Sequence, residues 1–198
     1  MPPERVAAAS DNLVDAWRAV VEPLRARPGG RVLVLGGGAK SIGLYAAGLA
    51  AAHDAAGVDY HDDDPGRRAI AESFGARAMP HGAPRGTYDV AVEATSRAAG
   101  LRAALRALAP GGVCTAVGYY LATGTRLPLM QMYATDATLR LGVSHARALI
   151  PELLAFIAAS GFEAERVTSL TAHWDDAPDA YLAKTTKVVL TRDALPRS

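Results

Sequence analysis

The sequence predicts an α/β protein, a doubly wound parallel sheet of six strands followed by a C-terminal tail, and three observations predict it. A strand-like run, Arg31 to Leu35, meets a helix through the turn Gly36-Gly37-Gly38. Short apolar runs then alternate with amphipathic helical stretches along most of the 198 residues. The alternation reads βαβαβ twice over, and parallel strands require such crossovers.

The chain is organised around Arg31 to Gly43, RVLVLGGGAKSIG. Its first five residues are mostly β-branched or leucine, the pattern of a strand buried on both faces. The three glycines let the backbone turn sharply and lie against a ligand. A helix then opens at Ser41 and Ile42 and runs through Gly43, Leu44, Tyr45, Ala46 and Leu49. Its start presents unpaired N–H groups and the positive end of the helix dipole, which suits a phosphate. Gly36 and Gly38 match the fingerprint G-x-G-x-x-G, while the third glycine, Gly43, comes two residues late. An ordinary strand-to-helix turn reads the same way.

Ahead of this segment, Ser10 or Asp11 caps a helix whose stripe is Leu13, Ala16, Trp17, Val20, Val21 and Leu24. Pro23 is expected to break or restart it, and Pro28-Gly29-Gly30 to end it. The second strand is read as Ala55 to Asp59, closing on an acid. At such a place a carboxylate accepts hydrogen bonds from an adenosine ribose and repels a 2′-phosphate, although Arg67 and Arg68 follow and leave that choice open.

A helix from Arg67 to Phe74, stopped by Gly75, leads to a third strand at Arg77 to Met79, and the loop Pro80 to Thr87 crosses to the other half of the sheet. Tyr88 to Ala94 is the fourth strand. Leu101, Ala104, Leu105 and Leu108 mark the next helix, Pro110-Gly111-Gly112 terminates it, and Val113 to Gly118 is the fifth strand. Ala137 to Val143 supplies the sixth. The tail reads as helix Ile150 to Ala159, strand Arg166 to Leu170, helix Ala177 to Ala183 and strand Lys187 to Thr191. In this topology ligands bind at the carboxyl ends of the strands, where Gly36 to Gly38, Asp59, Thr95 and Gly118 are placed.

Half the residues are apolar, 21% are charged and the net charge is +1. That balance argues against disorder and against nucleic acid as a partner. The one cysteine, Cys114, forms no internal disulfide, and the five histidines show no metal-ligand spacing. The start MPPERV lacks the apolar core of a leader, and the run Ser41 to Ala52 is too short to span a bilayer. A reducing cytoplasm is the expected location.

Seven segments, in this order, resemble the medium-chain dehydrogenase/reductases of the zinc-type alcohol dehydrogenase family. They are SDNLVDAWRAV, PGGRVLVLGGGAKSIGLYAA, VDY with RRAIAESFGA, YDVAVEAT, LAPGGVCTAVG, LIPELLAFI and KVVLTRD. The resemblance covers that family's coenzyme-binding domain and C-terminal tail. It implies a Rossmann domain over residues 1–145 and a tail over 146–198 that in relatives packs on a catalytic domain.

The resemblance also implies roles. Gly36, Gly38, Ser41, Ile42 and Gly43 would cradle the diphosphate of NAD, with NADP left open. Asp59 would hold the ribose with Arg67 beside it, and Thr95, Ser96 and Arg97 would line the adenine pocket. Val117 and Gly118 would meet the nicotinamide, with Leu141 to Ser144 as the opposite wall. Lys187 would reach the diphosphate, or be a solvated strand-end lysine. The implied activity is hydride transfer between coenzyme and an alcohol or carbonyl compound.

The zinc ligands and proton relay of full-length relatives belong to a separate domain, so no catalytic residue and no metal site is assigned here. A non-catalytic dinucleotide-binding module is the alternative. A short-chain dehydrogenase would need Tyr-x-x-x-Lys, and none of the seven tyrosines has lysine four residues on. A methyltransferase gives no reason for the KVVL or SDNLVDAW segments. Without the catalytic domain, Leu153, Leu154, Phe156, Ile157, Val188 and Leu190 are expected to lack cover, and a homodimer, with the sixth strand as an edge, would supply it.

Overall fold

The computed structural model describes residues 1–121 and 124–194. Along the chain lie α1 (Pro3–Val6), α2 (Asn12–Ala26), β1 (Arg31–Leu35), α3 (Lys40–Ala52), β2 (Gly57–His61), α4 (Pro65–Ser73), β3 (Arg77–Met79) and β4 (Tyr88–Glu93). There follow α5 (Ala98–Arg106), β5 (Leu108–Ala116), α6 (Leu129–Thr135), β6 (Thr138–Arg140), α7 (Ala146–Ser160), β7 (Leu170–His173), α8 (Ala177–Leu182) and β8 (Val188–Thr191). The main sheet has the order β3-β2-β1-β4-β5-β6, all parallel, and β7 pairs with β8 apart from it. Strand order reverses between β1 and β4, which opens a crevice at their carboxyl ends.

Two hydrophobic layers hold the sheet. On one face Val32, Val34, Val90 and Val92 pack against α2 and α3, with α7 laid on α2, and on the other Leu33, Leu35, Ala91 and Cys114 pack against Leu101, Ala104 and Leu105 of α5. The alternation along β1 and β4 is what a strand covered on both sides requires. Helix α2 is the centre of the first layer, with Leu13, Val14, Trp17, Val20 and Val21 buried in it.

Several boundaries differ from the sequence reading for physical reasons. Pro23 does not break α2, because it stands in the last turn with its ring buried and only one helical bond is lost. Helix α7 likewise runs through Pro151 in its second turn. Strand β2 begins and ends two residues later than expected, since Val34 and Leu35 of β1 pair with Tyr60 and His61. Pro110-Gly111-Gly112 lies inside β5, absorbed as a register shift against β4 with Gly111 at φ +70°. Strand β5 ends at Ala116, and β6 is confined to three residues.

Arg166 belongs to a 3₁₀ turn, Ala164–Val167, that sends Val167 into the core, so the strand expected from Arg166 starts instead at Leu170. Helix α6 buries no side chain and so leaves no periodic apolar stripe to read.

The expected bare face of the tail is corrected for part of its length, while Leu154, Val188 and Leu190 remain half-buried. Leu153 and Ile157 are fully buried with α2, and Phe156 stacks on His53 with ring centres 4.3 Å apart. Large exposed apolar side chains lie elsewhere: Leu129, Met130 and Tyr133 on α6, Leu141 and Val143 beyond β6, and Trp174, Tyr181 and Leu182 in the tail. Among the described residues no helix is long and apolar enough to cross a membrane.

Candidate functional site

Two cavities, about 480 and 410 Å³, adjoin at the carboxyl ends of the strands and share Gly38. The first is bounded by Gly36 to Gly38, Asp62, Asp63, Arg67, His81, Thr95 and Arg97. The second is bounded by Asp11, Asn12, Asp15, Gly38 to Ile42, Ser96, Val117, Tyr119 and Thr186. Together they form a cleft across β2, β1, β4 and β5.

The glycine turn at its centre is glycine by necessity. A Cβ on Gly36 would stand 2.5 Å from the Tyr60 hydroxyl and 2.7 Å from Asp62 Oδ2, and one on Gly38 would stand 2.5 Å from the carbonyl oxygen of Thr95. Gly37 takes φ +127°. The ends of the turn are tied to the sheet, Gly36 N–H donating to His61 O and Ala39 N–H to Ala94 O, both at 2.8 Å. Between these anchors the N–H groups of Gly37 and Gly38 make no hydrogen bond among the described residues. Helix α3 starts immediately after, so free N–H groups and a helix N-terminus face the same space. Ser41 is nearly buried and its hydroxyl accepts from Asn12 Nδ2 at 2.6 Å, which anchors α2 to the cleft. Gly43 packs behind the turn, where a Cβ would meet Ala94 at 3.4 Å.

Asp59 is not where the sequence reading put it. With β2 ending at His61 it is the third residue of the strand, and it borders neither cavity. Its carboxylate accepts from Arg77 Nε and Nη2 at 2.8 and 2.7 Å and from the Tyr88 hydroxyl at 2.5 Å, with Arg31 at 3.4 Å. Burial works against its charge, but the bonds from Arg77 and Tyr88 and the nearby guanidinium charges outweigh burial and hold the carboxyl below its usual range. Asp59 therefore braces β1 to β4 through their side chains.

Of the two acids that border the first cavity, Asp62, the residue after β2, is the buried one. Its Oδ2 accepts from the Tyr60 hydroxyl at 2.9 Å and from Arg67 Nε at 2.7 Å, and its Oδ1 from Arg67 Nη2 at 2.7 Å and from Asp64 N at 2.9 Å. Burial again opposes the charge and the bonds from Arg67, Asp64 N–H and Tyr60 prevail, so the carboxyl is held low. A sequence signal for this did exist. Asp64 caps α4, accepting from Arg67 N at 2.8 Å, with Pro65 at the first helical position, so the strand-end acid stands just before that cap.

Both carboxylates have folded-state pKa values below the unfolded value of about 3.9. Their stabilisation is present above that value and is lost as pH falls through the folded values. The melting temperature is therefore expected to hold from neutrality down to about pH 4 and to drop below it, and Asp59→Asn to flatten that acid limb. Calorimetry across pH 2 to 7, on the order of the carboxylate range, checks this.

Thr95, Ser96 and Arg97 form the turn between β4 and α5. Thr95 and Arg97 border the first cavity and Ser96 the second, so the three residues expected to line one pocket are divided between two. Val117 borders the second cavity, and Gly118 packs directly on Ser96. Leu141 to Ser144 line neither cavity. Lys187 is half-buried and outside both; burial lowers its ammonium pKa, partly offset by Asp11. Its neighbour Thr186 does border the second cavity, and Lys40 Nζ donates to Thr185 O at 3.3 Å. The structure thus gathers Gly36, Gly38, Ser41, Ile42, Arg67, Thr95, Arg97 and Val117 into one cleft, with Gly43 and Gly118 behind it and Asp59 and Lys187 apart. Asp62, His81, Asp11 and Asn12 join it without having been read from the sequence.

Among the described residues no three His, Cys, Asp or Glu side chains come together to hold a metal ion. No family model matches the chain. A probable zinc-binding alcohol dehydrogenase of Mycobacterium tuberculosis is 28% identical over 186 residues, covering 90% of this chain and 48% of its own length. The alcohol dehydrogenase of Thermus sp. ATN1 superposes with a TM-score of 0.88 at 29% identity, over 98% of this chain and 59% of that one. A short chain alcohol dehydrogenase of E. coli CFT073, solved with NADH, superposes with a TM-score of 0.79 over 93% of this chain and 58% of its own. At 16% identity that last likeness is one of fold. The chain spans about half the length of the curated relative it matches.

Proposed function

We propose that this chain, which resembles the coenzyme-binding part of the zinc-type alcohol dehydrogenases, binds a nicotinamide dinucleotide across the two cavities and serves hydride transfer between it and an alcohol or carbonyl compound. The observation that carries this reading is the junction at Gly38, where unbonded N–H groups and the start of α3 separate a cavity with two acids and two arginines from one walled by the segment after β5. A diphosphate fits the junction, with a sugar on either side. When bound, the nicotinamide supplies or accepts the hydride.

The chain's own residues position the coenzyme. Gly36 to Gly38 leave the backbone open to the diphosphate, and Asp62 with Arg67 faces the adenosine sugar. Val117 and Tyr119 form the wall for the nicotinamide end. Asp62 favours NAD, since a 2′-phosphate would meet its charge, while Arg67 softens that preference. For the zinc in the name of the curated relative, no three His, Cys, Asp or Glu side chains come together among the described residues. Cover for the exposed side chains around α6 and β6 would come from a second copy or from the part of the relatives that this chain does not match. A cytoplasmic location accords with the lone, buried Cys114.

Titration of the purified chain with NADH and NADPH, followed by coenzyme fluorescence, tests the reading. Saturable NADH binding is expected, with NADPH weaker by about tenfold, the scale of one unfavourable charge contact. No saturation by either coenzyme would remove the proposal. NADH binding without turnover of any alcohol or aldehyde would favour a non-catalytic binding module.

A further inference from the structure

We propose that the hydroxyl of Ser96 is a coenzyme contact at the waist of the cleft, taking an oxygen of the sugar–diphosphate linker on the nicotinamide side. This rests on the coenzyme reading above and adds a residue to it.

Ser96 has φ +58°, a conformation that residues with a side chain rarely adopt and that persists only where the surroundings impose it. Here the surroundings are identifiable. Glu93 is fully buried, and one of its oxygens accepts from the Thr95 N–H at 2.8 Å and from the Thr95 hydroxyl. The Thr95 hydroxyl oxygen in turn accepts from the Arg97 N–H at 3.0 Å. The other oxygen of Glu93 accepts from the Tyr120 hydroxyl, which ties the turn to the segment after β5. The residues on both sides are thus tied down around Ser96.

The result is a side chain inserted between two glycines. A Cβ on Gly38 would stand 2.7 Å from Ser96 Oγ, and one on Gly118 would come closer still to the same atom. Both positions are therefore kept clear around this hydroxyl. Among the described residues Ser96 Oγ makes no hydrogen bond, and the residue is half-buried at the edge of the second cavity, which leaves the hydroxyl free to meet a ligand. It borders the second cavity while Thr95 and Arg97 border the first. A dinucleotide passing from one cavity to the other over Gly38 must run alongside it, presenting oxygen acceptors and hydroxyls.

Two variants of the 198-residue chain test this, with NADH and adenosine monophosphate as probes and the melting temperature as a separate readout. Ser96→Ala keeps the Cβ and loses the hydroxyl, whereas Ser96→Gly also relieves the backbone. Each is expected to weaken NADH binding by about fivefold, the scale of one hydrogen bond, and to leave adenosine monophosphate binding within about twofold. Ser96→Gly is expected to melt at or above the parent temperature, since glycine accepts that φ freely. A hydroxyl with a merely structural role would leave NADH affinity unchanged in both variants, and that result overturns the proposal. Equal weakening of the monophosphate would place Ser96 on the adenosine side and overturn it as well. Failure of the parent chain to bind either probe would overturn the coenzyme reading itself.

Discussion

Gly38→Ala is expected to abolish measurable coenzyme binding while the sheet stays folded. The added methyl would stand 2.5 Å from the carbonyl oxygen of Thr95. That oxygen is backbone and cannot swing aside. It follows Ala94, whose N–H donates to Leu35 O at 2.8 Å and whose carbonyl takes the Ala39 N–H at 2.8 Å, so the turn and the end of β4 are held face to face. Relief requires the phosphate turn to move away from the strand, which misplaces the N–H groups that would meet the diphosphate. Overpacking of this kind costs about 1–3 kcal/mol. At about 1.4 kcal/mol per tenfold, together with the lost diphosphate bonds, the drop in NADH affinity is on the order of a hundredfold. Gly57→Ala is the matched control, because a Cβ there meets nothing within 4 Å. Calorimetric titration of both variants decides the matter: NADH affinity within about threefold of the parent in Gly38→Ala would show that the diphosphate does not rest on this turn.

The second large effect separates the two acids. Asp62→Asn is expected to weaken NADH binding by about tenfold or more and to narrow the difference between NADH and NADPH, because the charge that would face the ribose in the proposed site is lost. Asp59→Asn is expected to lower the melting temperature, since Arg77 and Arg31 lose their partner, and to leave NADH affinity within about twofold. The reverse ordering would return the ribose to Asp59. Asp62 already receives four hydrogen bonds, from Arg67 twice, Tyr60 and Asp64 N–H, which fills the acceptor sites of a carboxylate. Sugar hydroxyls would therefore compete for it or share Arg67. In the proposed site Arg67 and Asp62 would act as one unit toward the ribose.

The confusion of these acids shows what was legible in the sequence and what was not. The βα alternation, the glycine turn and the boundaries of β1 and β3 follow from local pattern alone, because each is fixed by residues within a few positions. The end of β2 is not local. Asp59, Tyr60 and His61 all suit a strand, and only pairing with Val34 and Leu35 extends it to His61. Pro23 and Pro110 misled for a related reason. A proline or a Pro-Gly-Gly run signals a break in an isolated segment, but here the buried ring in α2 and the register shift in β5 accommodate it. His81 and Asn12 reach the cleft from a loop and a helix distant in sequence, and no spacing rule connects them to Gly38.

The packing of the two end segments has a consequence for how the molecule assembles. Trp17 of α2 meets Phe156 of α7 with ring centres 5.1 Å apart, and Arg5 pairs with Glu165 across nearly the whole chain. Loops of that length close late, because their entropy must be overcome before the contact returns anything. The apolar stripe of α2 therefore lacks its last partner until α7 has been made and has docked. Transient exposure of such an apolar helix face favours aggregation, whatever the equilibrium strength of the finished core.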